Sequence, residues 1–182
     1  DTSGAGVASV LAAIEAGADA VDGAMDAMSG LTSQPSLGAI IAAVQHTERD
    51  SGIDPRRLAP FSRYWEGVRR YYAPFEAEMR AGTSDVYRHE MPGGQYTNLR
   101  EQARSMGLET RWGEVAQAYA DANQLLGDIV KVTPSSKVVG DLALFMVAGD
   151  YSAADIADPQ QNLPLPDSLV AMMRGELGYP PE

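Results

Sequence analysis

Apolar residues in this chain recur every three to four positions, and that spacing constrains its fold more than any other feature. Val7, Val10, Leu11 and Ile14 stand at i, i+3, i+4 and i+7, and Leu37, Ile40, Ile41 and Val44 repeat the pattern. Residues so spaced share one side of a helix, whereas a half-buried strand alternates every second residue. Thr2 or Ser3 can cap the first run and Gly17 supplies its stop, while Ser33 and Pro35 precede the second. Between them, residues 18–24 (Ala-Asp-Ala-Val-Asp-Gly-Ala) are short and small, and read as a buried strand. Residues 1–46 therefore read as loop, helix, strand, helix, the rhythm of a βα repeat in a parallel sheet or a (β/α)8 barrel. A complete barrel takes about 250 residues, so only its last quarter fits here.

From Glu48 the texture changes to mixed charges and aromatics, with no sustained alternation. Asp54-Pro55 is a helix start, an N-cap followed by proline at the first helical position. Leu58, Phe61, Trp65, Val68 and Tyr72 then mark one face. Val86-Tyr87 reads as briefly extended and Pro92-Gly93-Gly94 as a turn, with helices predicted near 97–106, 112–126, 135–148 and 166–175. Pro159, Pro164, Pro166, Pro180 and Pro181 give the tail the look of an exit towards a linker. The expected fold class is mostly α, with a boundary near residue 47 and a helical region over 47–182.

A net charge of -11 argues against nucleic acid or an anionic membrane surface as partner. No apolar run approaches the ~20 residues of a membrane span. The absence of cysteine removes disulfide and thiolate chemistry and fits a reducing, cytoplasmic setting. The opening at Asp1, without an initiator methionine, reads as part of a longer chain.

Few residues offer chemistry. His46 and His89 lie far apart with no partner at metal-ligand spacing, so both read as surface or capping residues and no metal ligand is expected in the chain. Met91-Pro92-Gly93-Gly94-Gln95 lacks the following lysine and hydroxyl of a phosphate loop. The aromatic group Phe61, Tyr64, Trp65, Tyr71, Tyr72 and Phe75 falls at helical spacing and suits a core or subunit contact. The segment Thr133-Pro134-Ser135-Ser136-Lys137 remains. A turn rich in hydroxyls opens directly into a helix, where free backbone N–H groups and a partial positive charge suit an anionic or carbonyl-bearing ligand. On the residues alone two readings stay open. Ser135 caps the helix and Lys137 is solvated, or Thr133, Ser136 and Lys137 form a site in which a threonine hydroxyl relays a proton.

Longer blocks carry a resemblance. They are Asp1-Thr2-Ser3-Gly4, residues 15–22, 29–35 and 69–76, Tyr64-Trp65-Glu66, the run from Tyr87 to Leu99, and residues 127–141 (Gly-Asp-Ile-Val-Lys-Val-Thr-Pro-Ser-Ser-Lys-Val-Val-Gly-Asp). In order, from Asp1 to about Pro181, the chain resembles the carboxyltransferase domain of the pyruvate carboxylase family. The resemblance implies the last βα units of a (β/α)8 TIM barrel over 1–46, followed by a helical, funnel-like extension over 47–182. It implies transfer of a carboxyl group from carboxybiotin to pyruvate, forming oxaloacetate in an anaplerotic step that serves gluconeogenesis. Thr133 matches the family's proton-shuttling threonine, and Ser136 and Lys137 match residues lining the biotin pocket. The resemblance also implies biotin on a carrier domain outside this chain and a divalent metal, zinc or manganese, with ligands upstream of Asp1. ATP and bicarbonate belong to a separate biotin carboxylase domain, and the full-length enzyme is implied to be a homotetramer.

Two alternatives accompany this reading. Oxaloacetate decarboxylase and transcarboxylase subunits share the architecture, but their turn resembles Thr-Pro-Thr-Ser-Gln where this chain has Ser135-Ser136-Lys137. A non-catalytic helical assembly module would also suit the aromatic helix and acidic surface. The segment taken alone is expected to be inactive.

Overall fold

The computed structural model describes residues 1–76 and 78–178. Pro180 and Pro181 lie outside the described residues. Contacts divide the chain into two compact units, Asp1–Val86 and Tyr87–Glu182. The boundary expected near residue 47 falls inside the first of them.

In the first unit, α1 (Gly6–Glu15) ends at Gly17, whose φ of +100° lets the chain turn back at the expected stop. Its start differs from expectation. Ser3 Oγ accepts from the N–H of Ala5, the Asp1 carboxylate accepts from Gly6 N–H at 2.7 Å, and Thr2 is buried. Ser36 caps α2 (Leu37–Val44) by accepting from Ala39 N–H, and Ile40, Ile41 and Val44 are its buried face. Asp54 and Pro55 open α3 (Pro55–Tyr72) as predicted, with Asp54 Oδ1 accepting from Arg56 N–H at 2.9 Å.

The strand expected over 18–24 does not form. Only one isolated parallel bridge, Ala24 with Ser36, appears among the described residues. A strand needs neighbours to take up its N–H and C=O groups. Residues 17–22 are instead exposed, and Ala24 alone pairs, donating to Pro35 O and accepting from Leu37 N. The predicted apolar face of α3 is also only partly realised: Leu58, Trp65 and Val68 are half-buried, while Phe61 and Tyr72 are exposed. Among the described residues the architecture is thus mostly helical.

The second unit builds a core of its own. Val86-Tyr87, expected extended, belongs to the short helix α4 (Val86–His89). α5 (Gly93–Ser105) begins at the glycines read as a turn. α6 (Trp112–Leu125) packs along α7 (Ser135–Ala148), with small residues Ala118 and Ala122 on one helix and Gly140 and Ala143 on the other among the buried positions. Gly140 brings α7 close to α5: a Cβ there would stand 3.0 Å from Leu99 Cδ1 and would push aside the end of the Gln95 side chain. Leu99, Val115, Tyr119, Val139 and Leu142 are almost completely excluded from solvent. Each of the leucine and valine side chains contributes about 1.5–3 kcal/mol through removal from water. Sequence reading missed α8 (Ala153–Ala157), although Ser152 and Asp155 form a capping box visible in the Ser-x-x-Asp spacing. α9 (Asp167–Met173) closes the core with Leu169 and Met172.

Candidate functional site

The three predicted residues gather where α7 begins. After α6 the chain reverses through Gly127 and Asp128, at φ +85° and +56°. Asp128 tolerates this left-handed conformation because its carboxylate bonds locally, accepting from Asn123 Nδ2 at 2.6 Å. Residues 129–132 then run along the surface, leaving Val130 80% exposed. The Thr133-Pro134 peptide is cis, and α7 starts at the next residue.

Ser135 does not cap α7. It is the first helical residue, and its hydroxyl turns back into the preceding loop, accepting from Val132 N–H at 3.2 Å and lying within donating distance of the carbonyls of Val130 and Val132. The free backbone donors expected at this helix opening are also largely absent. Ser136 N–H donates to Val132 O, and those of Lys137 and Val138 donate to Pro134 O. The tight turn that aims the side chains consumes these donors itself.

Side chains are what the turn offers. Thr133 is exposed, and among the described residues its hydroxyl has no hydrogen-bond partner. Ser136 is buried one helical turn on. Lys137 projects into solvent, with its ammonium 2.5 Å from Asp141 Oδ2 one turn further along α7. That same oxygen accepts from Ser168 Oγ of α9 at 2.5 Å, and the Asp141 side chain is mostly buried. The ammonium is therefore oriented by a carboxylate that is itself fixed. A neutral hydroxyl that can donate and accept, four residues before an oriented cation, suits binding of a polar carbonyl and passage of a proton between two partners.

Asp141 was legible as an i, i+4 partner of Lys137. Glu90, which lies 2.7 Å from Lys131 Nζ, was not, because 41 residues separate the two. His46 is exposed just beyond α2, its N–H donating to Asp50 Oδ2. That backbone hydrogen bond, with a second from Gly52, holds the Asp50 carboxyl below its usual value of 3.8. His89 is not the surface residue expected. It is 2% exposed, packs its ring 6.0 Å from that of Tyr96, and accepts from Met91 N–H through Nδ1. That acceptor role meets part of the polar demand that otherwise keeps histidine out of a core. Among the described residues no cluster of three or more His, Asp or Glu side chains could hold a metal ion. No helix there is long and apolar enough to cross a membrane.

Residues 86–182 match the family described as the conserved carboxylase domain, slightly more than half of the chain. Pyruvate carboxylase 1 of Caenorhabditis elegans is 53% identical over 183 residues, spanning 100% of this chain and 16% of that protein. The human mitochondrial pyruvate carboxylase is 53% identical over 99% of this chain and 15% of its own length. Among solved structures, the carboxyl transferase domain of Rhizobium etli pyruvate carboxylase superposes with a TM-score of 0.96 at 62% identity, covering 100% of this chain and 30% of that one. The same domain solved with oxamate and biotin gives the same TM-score and identity. The complete multifunctional enzyme from that organism matches at 62% identity and TM-score 0.96, with 18% of its chain covered. The chain thus spans less than a third of each of these relatives and structures.

Proposed function

This chain belongs to the pyruvate carboxylase family, and from that premise we propose that it is the C-terminal part of a carboxyltransferase domain in a longer enzyme that carboxylates pyruvate to oxaloacetate. Residues 1–46 would complete the barrel and 47–182 form the helical extension. The observation that supports the reading is the turn at α7, where Thr133, Ser136 and Lys137 fall within five residues of a tightly bonded backbone.

The donor set fits biotin. A ureido group presents one carbonyl oxygen and ring nitrogens, and the turn presents the exposed Thr133 hydroxyl and an oriented ammonium, with Ser136 buried behind them. Bound here, biotin would supply the carboxyl group and a nitrogen that takes up a proton. Lys137 would hold the ureido oxygen, leaving Asp141 in whole or in part, and Ser136 would line the pocket wall. Thr133 Oγ1 would accept a proton from the pyruvate methyl group as it donates its own, so the hydroxyl never carries charge. Its exposure leaves room for both partners. The described residues do not fit the divalent metal of the family, and no step here runs through it. The ATP- and bicarbonate-using step and the biotin-bearing carrier would belong to other domains of the parent protein, assembled as a homotetramer. Its cytoplasmic location is proposed from the lack of cysteine, whereas the human relative is mitochondrial by name.

In the full-length enzyme, Lys137→Ala should weaken productive engagement of biotin at the carboxyltransferase site. The charge-assisted hydrogen bond lost is worth about 1.5–3 kcal/mol, a loss of roughly tenfold to a hundredfold. ATP-dependent carboxylation of biotin at the other site should be unchanged. Assays of the two half-reactions check this, and equal losses in both would assign Lys137 to folding.

A further inference from the structure

We propose that Glu90 positions the Thr133 turn by way of Lys131, giving the His89–Gly94 segment a part in the chemistry at the start of α7. This rests on the reading of Thr133 as the proton relay. Lys131 stands two residues before Thr133, and its ammonium lies 2.7 Å from Glu90 Oε2 and 3.6 Å from Asp128 Oδ1. An exposed ion pair would do little. The Lys131 side chain, however, is only 14% exposed and is held between two carboxylates, Glu90 and Asp128, that are themselves 53% and 61% exposed, so the pairing matters here for where it fixes the loop rather than for its strength.

Both carboxylates come from fixed and unusual backbone. Glu90 and Asp128 each hold φ at +56°, a conformation uncommon for residues with a Cβ and maintained only where surroundings enforce it. Asp128 is held by Asn123, which is buried on α6 and bonds it through both side chain and backbone. Glu90 follows the buried His89, whose Nδ1 accepts from Met91 N–H across the same corner. Ser135 grips the far end of the loop at Val130 and Val132. The segment 128–135 is thus clasped at both ends, and Thr133 projects from between the clasps. Glu90 reaches no reacting group on this reading. It is a positioning residue.

The test uses the full-length enzyme. Glu90→Ala should lower kcat for oxaloacetate formation by about tenfold to a hundredfold, the scale of a displacement near 1 Å, with KM for pyruvate and the ATP-dependent half-reaction unchanged. Glu90→Gln, which keeps an acceptor oxygen, should lose less. Lys131→Met keeps the sheltered alkyl stem and removes only the charge, yet should lower kcat in the same way. The double variant Glu90→Ala/Lys131→Met should be no worse than the poorer single variant. Losses that multiply in the double variant would overturn the proposal. So would full kcat in a folded Glu90→Ala enzyme, or a loss that follows a lowered melting temperature into both half-reactions. Thr133→Ala is measured alongside to separate the two readings. If it is inactive while Glu90→Ala is fully active, only the positioning role fails. If Thr133→Ala itself turns over normally, the relay fails and the positioning role with it.

Discussion

The two units use helices of similar character to different ends. In the second, α7 buries nine of its residues, and α5, α6 and α9 all send side chains into the same interior. In the first, neither α1 nor the 18-residue α3 buries a single residue, and only α2 has a continuous buried face. Phe61, Tyr64, Tyr71, Tyr72 and Phe75 instead stand exposed on or just beyond α3. Helical periodicity is present in both units. What differs is whether a neighbour lies opposite the apolar face, and that decides between a core and an amphipathic surface. The candidate turn is carried by the unit that completes its own core.

The largest effect expected from this contrast concerns autonomous stability. In isolated 1–182, amides of α6 and α7 should exchange with deuterium only through cooperative unfolding, while those of α1 and α3 exchange within local openings. Apolar surface on the first unit should also make the fragment self-associate. A monomer with uniform protection across both units would break the comparison. Next come single side chains. Leu142→Ala should cost about 2–5 kcal/mol in a chemical melt by opening a cavity beside α6, whereas Phe61→Ala should change stability by less than about 0.5 kcal/mol. Equal penalties would mean that α3 is packed after all.

The smallest effect is acid sensitivity. A hydrogen bond from Arg69 holds the Glu76 carboxyl below its usual 4.5, and one from Arg111 does the same for Glu114. Ser152 similarly depresses Asp155 in the capping box of α8. Carboxyls with lowered folded values stabilise the fold above their unfolded range and lose that contribution as pH falls through the folded value. Helicity followed by circular dichroism should therefore be flat from about pH 7 to about pH 5 and fall modestly below about pH 4. A steep loss above pH 5 would indicate another titrating group.

These contrasts also explain what could be read in advance. α2, α6, α7 and the Asp54-Pro55 start of α3 follow from local signals, namely apolar spacing, a capping carboxylate and proline geometry. The strand at 18–24 misled because its small residues specify nothing until adjacent strands supply hydrogen-bond partners. Phe61 and Tyr72 misled in a related way, since a periodic face states only what could be buried. At the candidate site, Thr133, Ser136 and Lys137 could be singled out because five residues of sequence contain them, while their proposed roles came from the family resemblance. The backbone donors were misread because the back-bonding of Ser136, Lys137 and Val138 depends on how the turn closes. Glu90 and the burial of His89 were invisible for want of any local pattern linking them to α7.

We propose that the Thr133 hydroxyl carries the proton in carboxyl transfer. The most direct test compares steady-state carboxylation by full-length Thr133→Ala and Thr133→Ser, with melting curves for both. The alanine variant removes the group that donates and accepts in one step, and should lose about a hundredfold to ten-thousandfold in rate while melting normally. Serine keeps the hydroxyl but frees its rotamer, and should retain a measurable part of the activity. Near-normal turnover by a folded Thr133→Ala enzyme would contradict the account.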